Sequence, residues 1–225
     1  YGAIGTVINC NFTNNSANMG GAIHSICPGN VTDCNFVDNA ATGNNSVGGA
    51  VCFENSGYVE NCNFVNNTAY SGGGAVYFWG SGNVTNCNFV NNTAGYGGAV
   101  YFDENGNVTN CNFVNNTANE YGGAIFFNQY SYGIVINCNF VDNKATIGKG
   151  GALYFADKGI VSNSIFINNT ADEGGAIEMM SGNVTYCNFI NNTAYSDGGA
   201  IWGCDNVENC NFTSNSAPNG NGGAN

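Results

Sequence analysis

The chain has 225 residues, of which 15 are acidic, three are lysine, one is histidine and none is arginine. The resulting net charge of -12 excludes a nucleic-acid partner, because neutralising phosphates requires a basic face. It also disfavours anionic membrane surfaces. No stretch approaches the roughly 20 apolar residues of a membrane span. Only 8% of the residues are charged, which is typical of a surface protein rather than a cytosolic one.

One sequence unit recurs nine times at a mean spacing of about 25 residues. It has the form Val-x-Asn-Cys-Asn-Phe-x-x-Asn-x-Ala followed by Gly-Gly-Ala, with small variations. Period-two apolar runs, Gly and Asn corners and the lack of helical periodicity predict an all-β, single-stranded, right-handed parallel β-helix. We expect about nine coils, three short strands per coil and uncapped ends. Residues 1–225 should form one domain, an excerpt or a processed subunit of a longer protein.

Two columns of the repeat are complete in all nine units and are predicted to face the axis. The first is Val7, Val31, Val59, Val84, Val108, Val135, Val161, Val184 and Val207. The second is Phe12, Phe36, Phe64, Phe89, Phe113, Phe140, Phe166, Phe189 and Phe212. In a continuous strand, the side chains of Cys87 and Phe89 would point to one face and that of Val84 to the other. For all three to face the axis, the backbone must bend at Asn86. Asparagine tolerates the left-handed conformation that such a corner needs.

A further asparagine follows each Phe by three residues and is predicted to point inward. These residues are Asn15, Asn39, Asn67, Asn92, Asn116, Asn143, Asn169, Asn192 and Asn215. Adjacent coils are about 4.8 Å apart, so each amide can bond the next one. A lone buried Asn is costly, whereas a stacked column is satisfied. The following Gly-Gly pair allows positive φ and close approach of the coils.

The strand after Gly-Gly-Ala alternates inward and outward positions. Val76 and Phe78 point inward, so Tyr77 between them points outward. The same outward column holds His24, Cys52, Tyr101, Phe126, Tyr154, Glu178 and Trp202.

The paired signatures Gly20-Gly21-Ala22-Ile23 and Phe12-Thr13-Asn14-Asn15, repeated through the chain, resemble those of the chlamydial polymorphic outer-membrane proteins. The version rich in Asn, Thr and Cys is still more similar to the adhesin-like surface proteins of methanogenic archaea. This resemblance covers essentially the whole chain. It implies an extracellular, surface-displayed β-helix and supplies no catalytic residues.

Eight of the eleven cysteines occupy one column: Cys10, Cys34, Cys62, Cys87, Cys111, Cys138, Cys187 and Cys210, with Ser164 in the ninth place. A column does not converge on a point as metal ligands do. Disulfides between neighbouring coils would be strained by parallel Cβ directions. Stacked buried thiols are therefore favoured, with some disulfides or a metal as alternatives. Unpaired thiols on an exported protein suit an anoxic habitat.

Cys27, Cys52 and Cys204 lie off the column and are the better candidates for reactivity.

Thirteen Asn-x-Ser/Thr sequons make N-glycosylation a candidate modification. Strand parity points twelve of their asparagines outward, and Asn44 lies in an inserted turn. Chance occurrence in an Asn/Thr-rich repeat explains them equally well. The candidates are Asn11, Asn14, Asn30, Asn44, Asn66, Asn83, Asn91, Asn107, Asn115, Asn168, Asn183, Asn191 and Asn211.

Parallel β-helices include polysaccharide lyases and hydrolases, which need converging carboxylates or calcium-binding Asp residues beside a basic group. The best acidic cluster is Glu54, Asp103 with Glu104, and Asp157. Glu54 and Asp103 fall two coils apart, about 10 Å, and we expect no histidine or arginine near them. We likewise expect no acidic partner for His24, so no triad. No catalytic, cofactor-binding or metal-binding residue is assigned.

The outward aromatics Tyr77, Tyr101, Phe126, Tyr154 and Trp202 form a candidate contact face for sugar rings or a partner chain. Packing within the sheet face is the simpler alternative. We expect a non-enzymatic, extracellular structural or adhesin-like protein of a methanogenic archaeon. Its partners would be further copies stacked head to tail into a filament, or a cell-surface glycan or protein. A polysaccharide-binding module or a β-helix polysaccharide enzyme is the alternative function.

Overall fold

The computed structural model describes residues 5–224. Every regular element within that range is a β-strand, and the chain winds as a right-handed parallel solenoid of about eight turns with three sheets. The predicted fold class is confirmed.

The first sheet contains two short strands from most coils. The strands after Gly-Gly-Ala are Ile23–Ser25, Val51–Phe53, Val76–Phe78, Val100–Phe102, Ile125–Phe127 and Ile201–Gly203. The strands around the Val column are Thr6–Ile8, Gly29–Thr32, Gly57–Glu60, Gly82–Thr85, Gly106–Thr109, Tyr132–Ile136 and Asn206–Glu208. In two coils the two segments merge into the longer strands Leu153–Ser162 and Ile177–Thr185.

The second sheet carries the Phe column, and the third carries short strands after the inward asparagines. The second sheet is Asn11–Thr13, Asn35–Val37, Asn63–Val65, Asn88–Val90, Asn112–Val114, Asn139–Val141, Ile165–Ile167, Asn188–Ile190 and Asn211–Thr213. The third is Ser16–Ala17, Ala40–Ala41, Thr68–Ala69, Thr93–Ala94, Thr117–Ala118, Lys144–Ala145, Thr170–Ala171 and Thr193–Ala194. The prediction of three strands per coil therefore matches the number of sheets, while most coils contain four strand segments.

Three left-handed corners turn each coil. In one coil they are Asn86 (φ 54°), Asn91 (φ 58°) and Gly97 (φ 56°). The predicted bend at Asn86 is confirmed, whereas the second bend at Asn91 was missed. A side chain on Gly97 would overlap the carbonyl of Val100, so only glycine fits the third corner. The three corners separate the three sheets.

The axial core consists of columns of identical side chains. The inward Phe rings of the second sheet stack coil upon coil, with centroids 4.8 Å apart for Phe64 and Phe89 and for Phe89 and Phe113. A parallel stack runs through the first sheet, where Phe78 and Phe102 are 5.0 Å apart. The Val column is buried except in the end coils, where Val7 and Val207 are half-buried. Burial of these rings dominates the stability of each coil.

The inward asparagines form the predicted amide column, with a fixed polarity. Asn92 donates from both its backbone N and its Nδ2 to Oδ1 of Asn116, each at 3.0 Å. Asn116 in turn donates one of its Nδ2 hydrogens to the carbonyl of Phe89, in the preceding coil, at 3.0 Å. Each buried amide therefore satisfies groups in the coils on both sides of it.

Replacing Asn116 with Ala should destabilise the protein strongly, because the Asn92 backbone N–H and the Phe89 carbonyl lose their partner inside the core. We expect a loss on the order of 3 kcal/mol in unfolding free energy, measured by urea denaturation. Asn112→Ala is the matched control, since Asn112 is exposed and bonds only neighbouring side chains. It should lose less than about 1 kcal/mol. Equal losses for the two variants would contradict the importance of the inward column.

Candidate functional site

The outward column of the first sheet is in register from end to end. Backbone pairing aligns His24, Cys52, Tyr77, Tyr101, Phe126, Tyr154, Glu178 and Trp202. The rings of Tyr77 and Tyr101 stack at 4.5 Å, and those of Tyr101 and Phe126 at 4.7 Å. Cys52 and Tyr77 pack with Val47 in a cluster separate from the axial core, so the predicted direction of the column, away from the axis, is correct.

Much of this column is nevertheless covered, which corrects the expectation of a continuous exposed face. Tyr77 and Phe126 are only 5% and 6% exposed, and Tyr101 and Tyr154 are half-buried. The turn before each Gly-Gly pair folds over the rings. Gly72 lies directly against the rings of Tyr77 and Tyr101. The column is thus a second, smaller packed layer, and only Trp202 of the five candidates is well exposed.

The turn residues that cover the column differ from coil to coil. Met19 and Val47 pack with Cys52 and Tyr77. Tyr96 meets Phe126 edge to face at 5.6 Å, and Tyr121 stacks on Tyr154 at 4.8 Å. The turn tyrosines Tyr70 and Tyr195 remain exposed instead. Aromatic packing within the sheet face accounts for most of the row.

His24 has an acidic partner, contrary to the sequence prediction. Its Nε2 lies 2.9 Å from Oε1 of Glu54. His24 belongs to the first coil, and the turn after Phe53 in the second coil brings Glu54 next to it. The pair sits at the partly exposed edge of the column beside Met19 and Trp79. The Cys52 thiol, in register with His24 on the neighbouring strand, is fully buried.

Two of the remaining acidic candidates, Asp103 and Glu104, are held by separate polar contacts. Asp103 accepts a hydrogen bond from Nδ2 of Asn128, and Glu104 accepts one from Oγ of Ser81 at 3.2 Å. The strand register places Glu54 and Asp103 two coils apart, as predicted. Within residues 5–224, no three His, Cys, Asp or Glu side chains are close enough to hold a metal ion.

A different charged cluster lies at the far end of the outward column and was missed by the sequence analysis. Nζ of Lys149 contacts Oε2 of Glu173 at 2.8 Å and Oε1 of Glu178 at 3.2 Å. The side chain of Glu178 is 9% exposed, and among the described residues its Oε2 has no hydrogen-bond partner. Burial raises the pKa of Glu178 to about 7, against the opposing effect of Lys149. Strand parity predicts only that Glu178 points outward. It does not predict that Lys149, in a turn 29 residues earlier in the chain, contacts it.

The raised pKa of Glu178 makes stability depend on pH. The folded state holds this proton more tightly than the unfolded state, so Glu178 should progressively destabilise the protein as pH rises from about 4.5 to 7. Glu178→Gln should therefore raise the unfolding free energy at pH 8 by on the order of 2 kcal/mol and leave it little changed at pH 4.5. Lys149 keeps Glu173 as its partner in this variant. The exposed Glu104→Gln serves as control. A gain at pH 4.5 equal to that at pH 8 would contradict the assignment.

The cysteine column runs along the core beside the Phe column. All eleven thiols are unpaired in the structure, and the eight column members are buried or, at Cys10 and Cys210, half-buried. Cys87 donates its thiol to the Thr85 carbonyl at 3.1 Å and accepts the backbone N–H of Cys62 at 3.4 Å. Burial raises the pKa of Cys87, and raises that of Cys187 to about 12. These thiols act as small core residues with a polar function.

The three cysteines outside the column were predicted to be the reactive ones, and Cys52 contradicts this. Cys52 is fully buried, and burial raises its pKa to about 12. Cys27 and Cys204 are half-buried, and the pKa of Cys204 is also raised, mainly by burial. Cys52 was misassigned because its outward position was taken to be exposed, whereas the turns cover it.

Ser164, the natural exception in the cysteine column, makes a matched test possible. Its Oγ accepts the Cys138 N–H at 3.1 Å and donates to the Ser162 carbonyl at 2.8 Å, the same two bonds as a thiol makes. Cys87→Ser should therefore cost less than about 1 kcal/mol, whereas Cys87→Ala leaves the Cys62 N–H unsatisfied and should cost about 2 kcal/mol. Thermal and urea unfolding compare the two variants. A smaller loss for Ala than for Ser would show that the thiol serves only as an apolar filler.

The sequon asparagines lie on the surface, as the parity argument predicted. All are exposed except Asn83, which is half-buried. Several are joined by outward amide bonds, such as Asn115 Nδ2 to Asn91 Oδ1 at 2.8 Å. A further outward amide column, not anticipated, joins Asn11, Asn35, Asn63, Asn88, Asn112 and Asn139. The asparagine that recurs between Cys and Phe in the repeat could have predicted this column.

Comparison with known families agrees with this architecture. Residues 74–225 match the right handed beta helix region family, and the chain belongs to that family. Residues 9–26 and 61–78 each match the Chlamydia polymorphic membrane protein repeat. No curated protein and no solved structure matches the chain. The polymorphic membrane protein repeats suggest a surface-exposed protein of the adhesin type. The described residues contain no helix long and apolar enough to cross a membrane.

Proposed function

We propose that the chain is a non-enzymatic structural or adhesin-like segment of an extracellular cell-surface protein. The observation that supports this most is the uninterrupted inward amide column from Asn15 to Asn215, which ties every coil to the next. Such a solenoid is stiff along its axis and presents the same outward columns at regular intervals. The polymorphic membrane protein repeats support a place on the cell surface. Unpaired thiols favour an anoxic source, and the resemblance favours a methanogenic archaeon.

Head-to-tail assembly into a filament is the finer form of this proposal. Within the chain, each coil is joined to the next by the same pair of bonds, as from the backbone N and Nδ2 of Asn92 to Oδ1 of Asn116. Two copies stacked along one axis would be joined by the same bonds. N-glycans on exposed sequons outside the Val-column strands, such as Asn66 and Asn115, would add solubility to a surface with few charges.

A polysaccharide-binding or polysaccharide-cleaving protein is the second candidate. The specific observation in its favour is the pairing of Glu178 in register with the exposed ring of Trp202, beside Lys149 and Glu173. A buried carboxylic acid next to an aromatic ring is suited to sugar chemistry. The ion pairs with Lys149 favour a structural role for these carboxylates instead.

Antibody labelling of intact cells of the source organism tests the proposed function. Antibodies raised against the folded chain should label the outside of unpermeabilised cells in electron micrographs, and the label should follow filaments if copies stack. Matched permeabilised cells control for access. Label confined to the interior would contradict a surface role, whereas surface label without filaments would contradict only the assembly.

A further inference from the structure

The third coil, which carries Val59, departs from the repeat at two outward positions of one strand. In four coils the strand that carries the Val column reads Asn-Val-Thr, with Asn and Thr pointing away from the axis. In the strand Gly57–Glu60 these two positions hold Tyr58 and Glu60. The inward Val59 is unchanged and fully packed. Neither replacement serves the core, so the scaffold does not account for this pair.

Neighbouring coils frame the two residues with polar side chains. Tyr58 is in register with Asn30 on one side and Asn83 on the other. Glu60 is likewise flanked by Thr32 and Thr85. These six side chains line a shallow concavity of about 320 Å³ on the outer face of the first sheet.

The groups in this concavity retain most of their hydrogen-bonding capacity. Among the described residues, the one hydrogen bond that engages a side chain of the six is that from Asn107 Nδ2 to Asn83 Oδ1, at 2.9 Å. Tyr58 is 57% exposed. Unlike the covered column of Tyr77 and Phe126, this surface has an aromatic face open to solvent and unused donors and acceptors around it.

The arrangement has the dimensions and the chemistry to hold a sugar ring. Outward residues on one strand are about 6.7 Å apart and adjacent coils about 4.8 Å apart, which is the scale of a pyranose. The apolar face of a pyranose packs on an aromatic ring. A carboxylate accepts hydrogen bonds from two neighbouring hydroxyls, while amides and Thr hydroxyls donate and accept.

Charge selects among sugars. The chain carries a net charge of -12, and its three lysines lie at positions 144, 149 and 158, in other coils. Glu60 itself is negative, so a uronate or sulfated sugar would meet repulsion without a compensating cation. A neutral pyranose suits the site best.

We propose that Tyr58 and Glu60 form a binding subsite for one neutral pyranose unit of an external polysaccharide. Tyr58 supplies the stacking surface, Glu60 accepts from two hydroxyls, and Asn30 and Asn83 bond the ring edge. The inference rests on the proposed function, since it assigns a ligand class to an adhesin-like surface. It gives the contact role to the strand Gly57–Glu60 rather than to the covered aromatic column.

The test uses the whole chain made in a host without N-glycosylation, because Asn30 and Asn83 begin sequons. Cellohexaose, mannohexaose and chitohexaose are the neutral probes, and hexagalacturonate is the acidic one. Binding is measured by calorimetry and by saturation transfer from protein to sugar in NMR spectra. We expect at least one neutral probe to bind and hexagalacturonate to bind at least about tenfold more weakly.

Two variants return the coil to its own repeat pattern and should keep the fold intact. Tyr58→Asn and Glu60→Thr should each weaken binding by about tenfold or more. Tyr195→Asn removes an equally exposed tyrosine elsewhere and should leave binding unchanged. No binding of any neutral probe, equal binding of hexagalacturonate, or unchanged binding in both variants would overturn the subsite. Antibody labelling of intact cells would still decide the surface role separately.

Discussion

Inside the column, the buried amide of each inward asparagine is satisfied by groups of the two adjacent coils, namely an asparagine on each side and one backbone carbonyl. This constraint determines much of the rest of the structure. Both donors and the acceptor of Asn116 are used by Asn92, Asn143 and Phe89, so the coils must be in strict register. Register in turn stacks Phe on Phe and Cys on Cys. A solenoid made in this way needs few charges, since its polar groups bond within the repeat.

The repeat made the axial structure predictable, because nine copies show which positions tolerate no change. The inward Val, Phe and Asn columns and the corner at Asn86 were predicted on that ground. The corner at Asn91 was missed, since consecutive asparagines do not reveal which one turns the chain. The burial of Tyr77 and Cys52 was also missed. It depends on the turns before Gly-Gly, whose residues vary and whose course no periodicity describes. The same variability hid the contacts between His24 and Glu54 and between Lys149 and Glu178.

Function in such a molecule is to be sought where the repeat is broken. The regular columns explain how coils stack, and they recur whether or not a ligand binds. Tyr58 and Glu60 stand where four coils carry Asn and Thr, and Glu178 stands in a column of mostly aromatic residues. Glu178 is covered and paired with Lys149, whereas Tyr58 is open to solvent among unused polar groups. The difference in exposure indicates that Glu178 affects stability, whereas Tyr58 is suited to contact with a ligand.

Hydrogen exchange of the asparagine side-chain amides, followed by NMR, tests the central claim most directly. If the inward column holds the coils together, the Nδ2 hydrogens of Asn67, Asn92, Asn116 and Asn143 should exchange only through global or subglobal unfolding. Those of the exposed Asn88 and Asn112 should exchange orders of magnitude faster. Equal and fast exchange at both sets would show that the inward amides are open to water, and would contradict the account.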